Sequence, residues 1–202
     1  GLKKDWGNIF LNIVNQHRPK VFLEVGVFCG VTARNVCELL NIIHSGNFKY
    51  IGIDLFGDKT NEDEKVPNYL KKQSFSNPIK NLFYNIILRE NLNSYESVQK
   101  FLKKYSKNIT LIKGNSNKIL QHLDMENIDF AFLDGGHSFE TVFSDLNLLF
   151  DKISLNKDAI ILCDDYEDAD YITGVKRAVD QFVKEKKLKF EIIEKRFAKI
   201  TI

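Results

Sequence analysis

Residues 20–55 read KVFLEVGVFCGVTARNVCELLNIIHSGNFKYIGIDL. The apolar run Lys20–Val27 predicts a buried strand. Apolar residues then return at helical spacing over Val31–His44, and Ser45-Gly46 closes that helix. Tyr50–Leu55 predicts a second strand. Strand, helix and strand in so short a span make a βαβ crossover, which sets the two strands parallel.

The same alternation extends in both directions. Upstream, Leu2, Trp6, Ile9, Phe10, Ile13 and Val14 recur at helical spacing until Pro19 breaks the pattern. Downstream, Gly57–Asn77 turns polar around Pro67, with Pro78 just beyond, and reads as a loop or lid too short to fold alone. Two helical patterns follow, one through Ile79, Leu82, Phe83, Ile86 and Ile87, the other through Val98, Phe101, Leu102 and Tyr105. Strands are predicted at Ile109–Lys113, Ile128–Leu133 and Ala159–Cys163, with helical segments near Asn117–Leu123, Ser138–Phe150 and Tyr171–Lys187 between them. The end, Lys189–Ile202, reads as two strands joined by a tight turn at Glu194-Lys195. That link is too short for a crossover, so one of the two strands runs antiparallel. The expectation is an α/β fold with a mostly parallel sheet, one domain over 1–202, and a lid at about 57–77.

Composition excludes several classes. The 29 Lys and Arg nearly balance 27 Asp and Glu, for a net charge of +2, which gives no electrostatic case for a nucleic-acid partner. No apolar run approaches the roughly 18 residues of a membrane span, and GLKKDWGN has no signal-peptide pattern. Cys29, Cys37 and Cys163 are odd in number and form no C-x-x-C pair, against a disulfide framework or a zinc cluster. The chain reads as a cytoplasmic domain without nucleic-acid or membrane partners.

Polar residues gather where the strands end. In open α/β sheets, ligands bind outside the carboxyl ends of the strands, near the point where strand order reverses. Those ends carry Glu24-x-Gly26, Asp54, Gly114-Asn115-Ser116, Asp134-Gly135-Gly136-His137 and Asp164-Asp165. Gly26 and Gly30 can let a ligand approach the backbone at a strand-to-helix turn, or make a plain turn. Glu24 favours a ligand, because a carboxylate inside VFLEVG is costly to bury without a partner. Asp54 ends the second strand, 24 residues after Gly30, and can accept two ribose hydroxyls or simply form a turn. Asn115 and Ser116 can cap the next helix, touch a ligand, or both.

Asp134, Asp164 and Asp165 converge if the strands ending at Leu133 and Cys163 are neighbours. Two such charges about 4 Å apart repel by roughly 4 kcal/mol at an effective dielectric near 20. Either some are protonated or a cation sits between them, and an all-oxygen set without Cys or His favours a hard ion such as Mg²⁺. His137 lies three residues beyond Asp134, after two glycines, where it can serve the same rim as general base.

These segments resemble the class I S-adenosylmethionine-dependent methyltransferases from about Lys20 to Ile202. The resemblance rests on FLEVGVFCGVTA, on GIDLF, and above all on FLDGGHSFETVFSDL and the CDDY and GVKRAVDQF segments. The last two are similar to the metal-dependent small-molecule O-methyltransferases, the macrocin-type sugar enzymes in particular, and more distantly to the catechol type. The resemblance implies a Rossmann-like, doubly wound, seven-stranded sheet in order 3-2-1-4-5-7-6 with strand seven antiparallel. It implies S-adenosylmethionine as cofactor, with Glu24, Gly26 and Gly30 near the methionine moiety, Asp54 at the ribose and Asn115-Ser116 at the adenine. The family commonly has Asp where this chain has Asn115. It further implies Asp134, Asp164 and Asp165 as Mg²⁺ ligands, Asp134 also facing the cofactor, and His137 as catalytic base.

The expected reaction is Mg²⁺-assisted O-methylation of a small hydroxylated acceptor, a sugar or phenolic diol, by a monomer or homo-oligomer. A competing reading is a non-catalytic ligand-binding domain of the same fold, which would have no need of the Asp134, His137, Asp164 and Asp165 set. A nucleotide-dependent oxidoreductase is disfavoured, since Phe28 and Val31 spoil the G-x-G-x-x-G pattern.

Overall fold

A computed structural model describes residues 2, 4–57, 77–82, 91–124, 127–153, 158–167 and 173–202. Seven strands form one sheet in the order β3-β2-β1-β4-β5-β7-β6. They are β1 (Val21–Val25), β2 (Lys49–Asp54), β3 (Ile109–Lys113), β4 (Phe130–Leu133), β5 (Ile160–Cys163), β6 (Lys189–Ile193) and β7 (Phe197–Thr201). β1 to β5 are parallel, and β7 runs antiparallel to both β5 and β6. The expected strand order and the antiparallel last strand are both found.

The helices among the described residues are α1 (Lys4–His17), α2 (Val31–His44), α3 (Pro78–Leu82), α4 (Tyr95–Phe101), α5 (Ser116–His122), α6 (Phe139–Ile153) and α7 (Thr173–Lys186). Side chains alternate across a strand, so the central strands feed two cores. On one face Phe22, Tyr50, Phe130 and Phe132 meet Phe10 and Val14 of α1, Val36 and Leu40 of α2 and Val98 of α4. On the other, Leu23, Val25, Ile51, Ile53 and Ile161 meet Leu120 of α5, Leu146 and Leu149 of α6 and Val179 and Phe182 of α7. Burial on both faces explains why β4 and β5 are continuous apolar runs, FAFL and IILC.

The expected helix Val31–His44 has those bounds, and Ser45 ends it in the left-handed conformation at φ 51°. Strands are shorter than their apolar runs. β1 stops at Val25 because Gly26, at φ +98°, turns the chain out of the sheet, and β4 starts at Phe130 rather than Ile128. The hairpin turns at Glu194 and Lys195, both at positive φ, closed by Arg196 N–H donating to Ile193 O at 3.1 Å. The expected lid lies almost wholly outside the described residues, as do Phe83, Ile86 and Ile87. Among the described residues no helix is long and apolar enough to cross a membrane.

Candidate active site

One row of backbone hydrogen bonds aligns the rim. Gly114 N–H donates to Asp54 O, Gly26 N–H to Ile53 O, Asp134 N–H to Val25 O and Asp164 N–H to Leu133 O, each at 2.9 Å. In-register pairing therefore starts the five loops at one level. β1 and β4 lie side by side at the centre, where strand order reverses, and this is the expected ligand crevice.

Glu24 shares a strand face with Phe22 and is fully buried. The Tyr50 hydroxyl donates to its Oε2. Oε1 has no hydrogen-bond partner among the described residues. Burial pushes the carboxyl up to about 8, against the lowering effect of the Tyr50 hydrogen bond. Burial thus favours the neutral acid of Glu24, with one oxygen held by Tyr50 and the other not engaged by any described residue. Tyr50 escaped the sequence reading because, in KYIGID, it looks like ordinary β-strand filling.

Asp54 holds the loop after β1. Its Oδ2 accepts the Phe28 N–H at 2.8 Å and its Oδ1 the Phe56 N–H at 2.6 Å. Burial raises its pKa and those backbone donors oppose the rise. Gly26 has a packing reason to be glycine: a Cβ there would lie 2.1 Å from the carbonyl oxygen of Asp134. Gly30, at φ 75°, precedes the first turn of α2. Asn115 caps α5, its side chain accepting the Asn117 N–H at 3.0 Å. The Ser116 hydroxyl donates to Asp145 Oδ2 on α6 at 2.8 Å. For Asn115 the capping alternative is thus realised, and Ser116 ties α5 to α6.

Asp134, Asp164 and Asp165 do converge, offering one oxygen each within 4.8 Å of one another. Burial raises the Asp134 pKa well above the carboxylate range, and the charges of Asp164 and Asp165 add to it. Burial likewise raises Asp164, to about 6, against the pull of Arg196. His137 Nε2 stands 3.3 Å from Asp165 Oδ2. The loop carrying His137 is pressed against α7: a Cβ on Gly174 would lie 2.2 Å from the His137 carbonyl oxygen. Asp134, Gly136, His137, Asp164, Asp165 and Val175 line a small pocket at this point.

Arg196 is a residue of the candidate site that the sequence reading missed. Its Nε lies 2.7 Å from Asp164 Oδ1, and its Nη2 lies 2.7 Å from Asp164 Oδ2 and 2.8 Å from Asp165 Oδ1. Burial alone would lower its pKa, but the hydrogen bond and charge of Asp164, with Asp165, hold it raised. The signal was available in the topology. An antiparallel β7 begins where the parallel strands end, so the residue before Phe197 is delivered to the rim.

Comparison with known proteins agrees with this geometry. No curated protein matches the sequence significantly. Among solved structures, a Podospora anserina methyltransferase bound to S-adenosylhomocysteine superposes with a TM-score of 0.64 at 15% identity, covering 100% of this chain and 79% of that one. An O-methyltransferase of tomaymycin synthesis from Streptomyces achromogenes, in complex with S-adenosylmethionine, gives 0.61 at 13% identity, covering 100% and 81%. A TDP-rhamnose 3'-O-methyltransferase of calicheamicin biosynthesis gives 0.64 at 15%, covering 99% and 81%. At such identities these neighbours establish a shared fold. The family model described as methyltransferase domain matches residues 23–166, from inside β1 to just past the paired aspartates after β5. Since that span takes in most of the chain and all but the last strands of the rim, the protein belongs to the methyltransferase domain family.

Proposed function

We propose that this methyltransferase moves the methyl group of S-adenosylmethionine to a hydroxyl oxygen of a small acceptor, a sugar or phenolic diol, with a divalent cation such as Mg²⁺ assisting. The observation that carries the reading is the convergence of Asp134, Asp164 and Asp165 beside His137, on the rim where strand order reverses. The neighbours named as O-methyltransferases, one of them acting on a sugar nucleotide, support oxygen as the methyl acceptor.

The cofactor fits on two counts. The buried Glu24 Oε1 has no donor among the described residues, and the cofactor's ammonium group can supply one, while Asp54 keeps lone pairs for ribose hydroxyls beyond those given to Phe28 and Phe56. Bound there, S-adenosylmethionine supplies a methyl group on a sulfonium leaving group. The acidic set fits a hard cation by donor chemistry: three carboxylates, an all-oxygen set, within ligand reach of one another. Asp134, Asp164 and Asp165 would hold it, and a cation there supplies Lewis acidity that makes a hydroxyl easier to ionise.

The chain's own residues do the rest. The rim loops fix donor and acceptor in line, and such positioning can supply roughly 7–11 kcal/mol of the barrier. S-adenosylmethionine held there would supply the methyl carbon and would keep the carbon–sulfur bonding pair as a neutral thioether, which leaves the hydroxyl proton for the chain's residues to take. His137 receives the hydroxyl proton, and Asp165 Oδ2, 3.3 Å from Nε2, orients the ring and faces its new positive charge.

The test is release of S-adenosylhomocysteine from S-adenosylmethionine, followed by mass spectrometry over a panel of vicinal diols with Mg²⁺ and with chelator. Release that needs both acceptor and metal is expected. Undiminished release in chelator would discard the metal, and failure to bind S-adenosylmethionine would discard this chemistry altogether.

A further inference from the structure

We infer that Arg196 and a divalent cation exclude each other at the acidic rim: Arg196 is the counter-cation of Asp164 and Asp165 in the metal-free protein and must leave them for a metal to bind. The inference rests on the metal reading above and adds to it a residue that sets metal affinity.

The contacts leave little choice. Arg196 Nη2 donates a hydrogen bond to Asp164 Oδ2 at 2.7 Å and lies 2.8 Å from Asp165 Oδ1, while Nε makes a charge contact with Asp164 Oδ1 at 2.7 Å that lacks hydrogen-bond geometry. The remaining Asp165 oxygen, Oδ2, faces His137. Of the three candidate ligands, Asp134 alone is outside the guanidinium's direct grip among the contacts found. A metal bonded to a carboxylate oxygen at about 2.0–2.1 Å would share that oxygen with a charged donor of the same sign. A charge-assisted hydrogen bond between guanidinium and carboxylate is a strong pair, so the exchange is a competition between two cations for one set of oxygens.

The arginine has further contacts beyond the carboxylates. Arg196 closes the β6–β7 turn, and its backbone carbonyl accepts the Tyr166 N–H at 2.8 Å, which ties that turn to the loop after Asp165. Its guanidinium carbon lies 5.6 Å from the ring centre of Trp6 and 5.9 Å from that of Phe197. The guanidinium meets these aromatic faces while it pairs with the carboxylates, so its departure would change the surroundings of Trp6. The backbone anchor stays fixed while the side chain exchanges partners. Trp6 is the only tryptophan in the chain, so its emission reports the arginine's position.

The experiment compares Mn²⁺ binding to the full chain and to Arg196→Gln by electron paramagnetic resonance, with Arg196→Lys as the milder variant. Arg196→Gln should bind Mn²⁺ tighter by about tenfold or more, or bind it where the parent chain does not. Arg196→Lys keeps the charge and loses the planar guanidinium that reaches both aspartates, so its affinity should fall between the two. It carries the test if the glutamine variant does not fold. Adding Asp134→Asn to Arg196→Gln should abolish the gain, which locates the ion. In the parent chain, saturating Mg²⁺ should change Trp6 emission. Affinity unaltered or weakened by loss of Arg196, or Trp6 emission indifferent to bound Mg²⁺, overturns the exclusion while leaving the metal site. Absence of binding in every variant removes the metal reading itself and this inference with it.

Discussion

Asp54, at the end of β2, reaches the loop after β1 and accepts the backbone N–H of Phe28 at 2.8 Å. Phe28 sits at φ 51°, an uncommon conformation for a bulky residue. One carboxylate thus braces a strained loop, and the proposed function gives it a second role as acceptor for a ribose. The two roles separate by substitution. Asp54→Asn keeps one oxygen for a backbone donor, whereas Asp54→Ala loses both. Both variants should bind S-adenosylhomocysteine at least about tenfold more weakly, since hydrogen bonds to a charged group are worth about 1.5–3 kcal/mol. Only Asp54→Ala should also lower the melting temperature appreciably. Calorimetric titration and thermal melts read the two effects; parent-like affinity in a folded Asp54→Ala would place the nucleoside elsewhere.

Glu24 should make the stability of the fold sensitive to pH. Its carboxyl has an ordinary value of 4.5 and is raised by burial to about 8 in the fold. The native state therefore holds the proton more tightly than the unfolded chain does. The stability this confers is complete below 4.5 and is lost as pH rises toward 8. Glu24→Gln stays neutral throughout and can still accept from Tyr50. Urea unfolding between pH 5 and 8 should show the parent losing stability against this variant, by an amount on the order of a few kcal/mol. A difference independent of pH would mean that Glu24 is already charged in the fold.

How far the sequence could be read follows from the kind of signal each residue gives. Val31–His44 is legible because apolar spacing and a Ser-Gly stop agree on its limits. The aspartates at 54, 134, 164 and 165 are legible because a parallel sheet places the end of every strand on one rim, so a polar residue after an apolar run has a predictable location. Strand limits are less so: Val27 is as apolar as Val25, and only the backbone of Gly26 separates them. Tyr50 and Arg196 were not legible from their surroundings. A tyrosine in a strand is ordinary, and an arginine in a hairpin turn is ordinary. Their roles arise from partners 26 and 32 positions away in sequence, Glu24 and Asp164, which only the packed sheet brings together.

Gly174 controls the placement of the candidate base from a distance along the chain. The first turn of α7 packs so closely on the loop after β4 that a Cβ at 174 would lie 2.2 Å from His137 O and 2.6 Å from Phe139 N. Both are backbone atoms, so no side chain can swing aside to make room. Gly174→Ala should therefore displace the His137 loop, and a shift of about 1 Å in a catalytic group can cost on the order of 10² in rate. The expected result is a loss of turnover with S-adenosylhomocysteine affinity retained, because Glu24 and Asp54 lie on β1 and β2. Equal turnover in Gly174→Ala would show that the loop tolerates the shift.

His137→Ala tests the chemistry most directly. If His137 takes the acceptor proton, its loss should reduce turnover by the roughly 10²–10⁴ typical of a missing general base, with cofactor affinity unchanged. The pH profile discriminates this from a structural effect. With the imidazole gone, the remaining rate should rise with pH as the acceptor hydroxyl ionises unaided, whereas a variant that is merely misfolded should stay low at every pH. Asp165→Asn adds the second half of the argument. It keeps an oxygen near Nε2 and removes the negative charge now 3.3 Å from it, so turnover should fall less than in His137→Ala. Combining the two substitutions should then cost little beyond His137→Ala alone, since Asp165 would have no ring left to orient. Losses that simply multiply would mean that Asp165 serves the reaction independently of the histidine, through the metal or the acceptor. Undiminished turnover in His137→Ala would assign the proton to solvent or to the acceptor's own neighbouring hydroxyl.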